Sequence, residues 1–78
     1  MANMTQQDFT DKVTRTFAAH GFDDLELVRD LANAVAEEID SNGNINDLIQ
    51  LTRRTQTPKR AGQVILIMHK LATLYRGA

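Results

Sequence analysis

The sequence predicts an all-α fold: a small bundle of four helices, the third of them short, in a single domain over residues 1–78. Apolar residues recur at spacings of three and four, and residues that typically begin or end helices separate these runs. No stretch alternates apolar and polar residues as a half-buried strand does. A chain of 78 residues buries only about 60% of the surface exposed by its unfolded form, so we expect it to associate with a second copy or a partner.

The first helix is predicted over about residues 6–20. Thr5, followed by Asp8, resembles an N-cap arrangement, and Gly21 can adopt the left-handed conformation that ends a helix. The apolar stripe of this helix is narrow and recurs at every fourth position: Phe9, Val13 and Phe17. Such a stripe is typical of a helix that lies on a larger partner.

The second helix is predicted to follow Asp23 and to end at about Asp40. Asp23 and Glu26 have the spacing of a capping box, in which Phe22 packs onto Leu27. One face of this helix is apolar: Leu27, Val28, Leu31, Ala32, Val35 and Ile39.

The third helix is predicted to begin at a cap formed by Asn44 or Asn46 and to end near Arg54 or Thr55. Its apolar residues are Ile45, Leu48 and Ile49, with Leu51 as a further candidate, and the helix is short because Thr57 and Pro58 begin a new one.

The fourth helix is predicted from Thr57 and Pro58, because proline suits the first helical turn, to about Arg76 with Gly77 as its stop. Apolar residues cover about half of its circumference at 100° per residue, which predicts a central helix. This face is also the predicted interface of a homodimer, formed by Val64, Ile67, Met68, Leu71, Leu74 and Tyr75.

The charges divide the chain into two halves. All ten carboxylates lie between Asp8 and Asp47, whereas residues 48–78 carry six lysines and arginines and no acid. Either the halves attract each other in the fold or across a dimer, or the basic half meets an anionic partner.

Composition argues against an enzyme or a metal site. The chain has no cysteine, which excludes thiolate chemistry and fits a reducing cytoplasm. His20 and His69 have no metal-binding or nucleophile-activating spacing. The segment Glu38–Ile49 resembles an EF-hand loop with Gly43 at the turn, but an isoleucine stands where the bidentate glutamate belongs. We therefore expect no enzymatic activity, no metal and no cofactor.

No membrane segment is expected, because the longest strictly apolar run is Val64–Met68, against about 20 residues for a span. The first twelve residues are polar and lack the basic-then-apolar order of a secretory signal.

The segment TRRTQTPKRAG concentrates positive charge around the only proline of the chain. Leu66 lies in the middle of the polar arc of the fourth helix, one turn after Gly62, where it can be the apolar centre of a contact ringed by basic residues. The predicted partner-binding residues are Arg53, Arg54, Lys59, Arg60, Gln63, Leu66 and Lys70. The alternative is a helix-turn-helix that binds DNA, with the fourth helix as its recognition helix. The broad apolar face of that helix opposes this alternative, and no aromatic residue on the basic face supports base stacking.

Three stretches, VTRTFAAHG, LANAVAEEI and GNINDLIQL, resemble the small AriR-type biofilm and acid-resistance regulators of enterobacteria. The resemblance covers about residues 13–75 and consists of a helix ending in a Phe-Ala step, a helix with spaced valines, a Gly/Asn turn and a closing pair of helices. It implies a helical homodimer that acts as a regulatory connector by binding another protein.

Together these observations predict a cytoplasmic, dimeric, non-enzymatic protein of bacterial or phage origin that regulates or inhibits an acidic partner protein. We expect it to bind no membrane and no small-molecule substrate.

Overall fold

The computed structural model describes residues 5–77, which form four helices and no strand. They are α1 (Gln6–Ala19), α2 (Leu25–Asn42), α3 (Asn46–Thr55) and α4 (Pro58–Arg76). The all-α prediction and the short third helix are confirmed. No helix within residues 5–77 is long and apolar enough to cross a membrane.

The helix at the centre of the fold is α2, not α4 as predicted. It packs against each of the other three helices, and Val28, Ala32, Val35 and Ala36 on its inner face have no exposed surface. Because two of these four residues are alanines, neighbouring helices can approach α2 closely. The α4 helix packs on α2 and α3 and meets α1 through the edge-to-face pair of Phe9 and Tyr75, whose ring centroids are 4.9 Å apart.

One apolar core joins all four helices. It is formed by Phe9 and Val13 of α1, the inner face of α2, Ile45 and Ile49 around α3, and Val64, Met68, Leu71 and Ala72 of α4. The removal of these side chains from water makes the main favourable contribution to the free energy of folding and holds the helices together.

The start of α1 follows the prediction. The Asp8 backbone N–H donates to the Thr5 hydroxyl at 3.1 Å, which satisfies one of the free donors of the first turn. Two threonines of this helix are buried as well: the Thr14 hydroxyl donates to the Thr10 carbonyl oxygen, and the Thr10 hydroxyl donates to the Asn33 side-chain oxygen at 2.7 Å. The second bond fixes α1 on α2.

The junction of α1 and α2 differs from its prediction in the N-cap of α2. Gly21 has the expected positive φ, 80°. However, the N-cap of α2 is Asp24 rather than Asp23, since the Asp24 carboxylate accepts from the Leu27 backbone N–H. Phe22 packs edge to face against Phe17, at 5.5 Å between ring centroids, while its predicted contact with Leu27 stays a prediction.

The turn between α2 and α3 begins two residues later than predicted. The α2 helix continues to Asn42 and ends at Gly43, whose φ of 78° is the left-handed conformation of a C-cap. Asn44 accepts from the Asn46 backbone N–H, while buried Ile45 occupies the N-cap position without a side-chain bond. At the next junction Thr57 accepts from the Arg60 backbone N–H and Pro58 opens α4, as predicted.

Candidate partner-binding surface

The corner between α3 and α4 carries the predicted basic cluster. Arg53 and Arg54 lie in the last turn of α3, and Lys59 and Arg60 lie in the first turn of α4. Only Gln56 and Thr57 separate the two helices, so all four cations lie close in sequence around one tight turn. All four side chains are exposed.

The solvent-facing side of α4 continues this cluster toward the end of the chain. Its exposed residues include Gly62, Gln63, Leu66 and Lys70, as the helical wheel predicts. Leu66 is 61% exposed, more than any other large apolar residue from 5 to 77. The structure therefore confirms that this leucine lies on the polar side of α4, beside predicted partner-binding residues.

The predicted dimer face requires a correction. Val64, Met68 and Leu71 are buried in the core of the protomer, where the other helices of the same chain cover them. They offer no surface to a second copy in this fold. Of the predicted interface, Ile67, Leu74 and Tyr75 keep exposed or partly exposed surface, and Leu74 is 51% exposed. Dimerisation itself stays a prediction.

Hydrogen bonds between the acidic and basic halves lie at the end of α4. The Tyr75 hydroxyl donates to the Asp40 carboxylate, and an Arg76 guanidinium N–H donates to the Gly43 carbonyl oxygen at 3.1 Å. Donation from the Gln6 amide and then from Tyr75 holds the pKa of Asp40 below its ordinary value, and the same bond raises the pKa of Tyr75. These hydrogen bonds stabilise the packing of α4 on the end of α2. The four cations of the basic corner take no part in them.

The segment that resembles a calcium loop does not have the shape of one. Glu38, Asp40 and Asn42 all lie within α2, and the Asn42 amide donates to the Glu38 carboxylate along the helix. An EF-hand loop must wrap its oxygens around the ion, and a helix cannot do this. Residues 5–77 contain no cluster of three or more His, Asp or Glu side chains able to hold a metal ion.

The two histidines are both exposed. His20 is the C-cap of α1, as expected of a residue favoured by the negative end of a helix dipole. His69 lies on the outer side of α4 beside Leu66 and Lys70.

Sequence reasoning missed a groove between α1 and the second half of α4. Phe9, Val13 and Phe17 line it from α1, and Thr73 and Leu74 line it from α4. The sequence pattern predicts Leu74 in a dimer face and Phe17 in a narrow stripe that lies on a larger partner. Two features of the sequence indicate such a groove. The apolar stripe of α1 is narrow and the apolar arc of α4 is wide, so some apolar surface stays uncovered where the two helices meet.

Comparisons of the chain with protein-family models, curated proteins and solved structures gave no match, so the resemblance to AriR-type regulators stays a prediction.

Proposed function

We propose that this protein is a small non-enzymatic regulator or inhibitor that acts by binding an acidic partner protein through the exposed side of α4. The observation that carries the proposal is the exposure of Leu66, 61%, on a helix face that also presents Lys59, Gln63 and Lys70. Well-packed apolar residues surrounded by polar ones are the usual centre of a protein interface.

A single exposed leucine is ordinary on a soluble protein, but Leu66 does not stand alone. Leu74 lies two turns further along α4 and is 51% exposed, and both leucines line one shallow hollow with His69, Lys70 and Thr73. Two large apolar side chains in one hollow form a patch, and contiguous exposed patches mark interaction sites.

The basic corner gives this surface its preference for an acidic partner. Arg53, Arg54, Lys59 and Arg60 are exposed around the turn that precedes this surface, and Lys59 lies about two helical turns before Leu66 on α4. Rim charges of one sign accelerate the encounter with a partner of opposite charge and disfavour partners of like charge.

DNA binding is the second candidate, because the same four exposed cations surround a short turn between two packed helices. Gly62 and Leu66, however, occupy the middle of the side of α4 that would enter a groove, where base-reading side chains are required. We therefore rank DNA below a protein partner.

The proposal includes a cytoplasmic location, which the cysteine-free composition favours, and a bacterial or phage origin. A homodimer belongs to it only through Ile67 and Tyr75, which keep partly exposed surface, because Leu74, the third accessible residue of the predicted interface, lies in the hollow assigned to the partner.

The test is capture of the native partner by the full chain, followed by variants. Leu66→Asp places a carboxylate in the centre of the surface and should abolish binding. Leu51→Asp is the matched control, since Leu51 is 48% exposed on α3, and it should bind as the parent does. Arg53→Ala with Arg54→Ala should weaken binding moderately and reduce its salt dependence.

Two results would contradict the proposal. One is a partner that binds the Leu66→Asp variant as tightly as the Leu51→Asp variant. The other is affinity for duplex DNA that falls steeply with salt and disappears in the Arg53→Ala, Arg54→Ala double variant, which would make the protein a DNA-binding regulator.

A further inference from the structure

The groove between α1 and α4 opens beside the contact that joins the two helices. Near one end the rings of Phe9 and Tyr75 touch edge to face. Beyond this pair, Val13 and Phe17 form one wall, and Thr73 and Leu74 form the other. The groove thus follows two helices and has an apolar floor.

Leu74 is the centre of a larger surface. It lines the groove with Phe17, a second hollow with His20, Gly21 and Phe22, and a third with Leu66 and His69. Because the three hollows share this side chain, they form one continuous surface from Leu66 to the end of α4. A residue that is 51% exposed and common to three hollows is positioned to be the main apolar contact of a ligand.

The charge of this surface is one-sided. The ionisable residues that line it are Lys12 of α1, Lys70 of α4, His20 and His69. The chain carries ten carboxylates, and none of them lines any of the three hollows. An occupant with acidic side chains is therefore attracted by both walls, and no carboxylate side chain among the lining residues repels it.

A second copy of the chain does not meet this requirement. The large apolar residues that are exposed within residues 5–77 are Leu51, Leu66 and Leu74, and all three belong to the basic half. The large apolar residues of the acidic helices α1 and α2 are buried in the core or only partly exposed at its edge.

We infer that the groove around Leu74 is the docking site for an amphipathic helix of the partner, with apolar residues on one face and Asp or Glu on both sides of that face. This inference rests on the proposed function and specifies its site. Helix-in-groove recognition needs an elongated apolar channel, and specificity comes from the charges along its edges. Leu74 and Phe17 provide the channel, and Lys12 and Lys70 provide the charges.

The experiment uses the full chain and a displayed library of helical peptides about 14 residues long, enough for about four turns. Leucines are fixed along one face, and the flanking positions are random. The enriched peptides should carry Asp and Glu rather than Lys and Arg at the flanks. Bound to the ¹⁵N-labelled chain, they should shift amide resonances of residues 12–22 and 66–77.

Variants then assign the site. Leu74→Ser should weaken the enriched peptides about tenfold or more, whereas Leu51→Ser, at a similarly exposed leucine, should leave their affinity unchanged. Thr73→Glu is a second groove variant that spares Leu74. The Thr73 side chain is exposed and bonds only to the His69 carbonyl oxygen of its own helix, so the variant should fold and repel the acidic peptides.

Two double variants with the same change in net charge test whether binding requires the lysines of the groove. Lys12→Glu with Lys70→Glu should abolish binding, and Arg15→Glu with Arg29→Glu, which changes the net charge equally at two exposed residues that line none of the three hollows, should not. If both double variants lost affinity for the peptides to the same extent, the inference would be overturned. A library without acidic enrichment, a library without binders, and resonance shifts outside the groove would each overturn it as well.

Two further outcomes separate the site from the function. A native partner that is lost in Leu66→Asp but retained in Leu74→Ser and Thr73→Glu would refute the groove and leave the proposed function standing. If the enriched peptides bind the groove while the full chain captures no protein in its host, the groove stands and the proposed function falls. A dimer that Leu74→Ser splits into monomers would assign the groove to a second copy and overturn the inference.

Discussion

The hydroxyl of Tyr75 donates to both carboxylate oxygens of Asp40, at 2.9 and 2.8 Å, and joins the last turns of α4 to the C-terminal part of α2. The ring of the same tyrosine packs against Phe9 of α1. One side chain thus ties the first, second and fourth helices together at one end of the molecule. The groove around Leu74 begins beside this contact.

Tyr75→Phe should remove the bond to Asp40 while keeping the ring contact with Phe9. The folded-state pKa of Asp40 is lowered, so its contribution to stability is present above its unfolded pKa and is lost as pH falls through the folded value. The pKa of Tyr75 is raised, so its contribution is present below its unfolded pKa and is lost as pH rises through the folded value. The parent should therefore be more stable than the variant between about pH 5 and pH 9, and the difference should shrink outside this window.

Chemical denaturation of both proteins across the pH range, followed by circular dichroism, measures this difference. Asp40→Asn is the control, since it keeps an acceptor for the Tyr75 hydroxyl and removes the carboxylate that titrates at low pH. A difference that stays constant from pH 3 to pH 11 would show that the hydrogen bond does not contribute as described.

Asp24→Ala should lower the free energy of unfolding by about 1 kcal/mol, because the Asp24 carboxylate caps the first turn of α2. Asp23→Ala should change it by less than about 0.5 kcal/mol, although the two residues are adjacent and chemically identical. Urea titration distinguishes the two variants. The reverse order would restore Asp23 as the cap.

Gly43→Ala should lower the free energy of unfolding by about 1 kcal/mol, since the φ of 78° at this position is costly for a residue with a Cβ atom. Gly62→Ala is the matched contrast. Gly62 lies inside α4, and a Cβ there meets no atom within 4 Å, so alanine should raise the free energy of unfolding by about 0.5–1 kcal/mol. Thermal melts of both variants test the pair, and destabilisation by both would contradict the open surroundings of Gly62.

Met68→Ala should cost about 2–5 kcal/mol of stability, because Met68 has no exposed surface and its removal leaves a cavity. Leu66→Ala, two residues earlier on the same helix, should cost less than about 0.5 kcal/mol. Equilibrium denaturation in urea measures both values. If Leu66→Ala were as costly as Met68→Ala, Leu66 would belong to a buried interface rather than to a free surface.

Local chemistry made much of the fold predictable. The threonine caps of α1 and α4, Pro58 at the start of α4 and the positive φ of Gly21 each depend on residues within a few positions, so the sequence contains the whole cause. Leu66 was predictable on the candidate surface for the same reason, since helical periodicity alone places it among polar residues.

What the sequence by itself determined is therefore the set of helices, most of their ends and the side of each helix that avoids water. Only the tertiary structure decided what covers each apolar side. An apolar arc on α4 has the same pattern whether the covering surface belongs to the same chain or to another, and here α2 covers Met68 and Leu71 while Leu74 remains at the edge of a groove. The bond between Tyr75 and Asp40 likewise joins residues 35 positions apart, and their distance depends on how α2 and α4 pack, which no local spacing encodes.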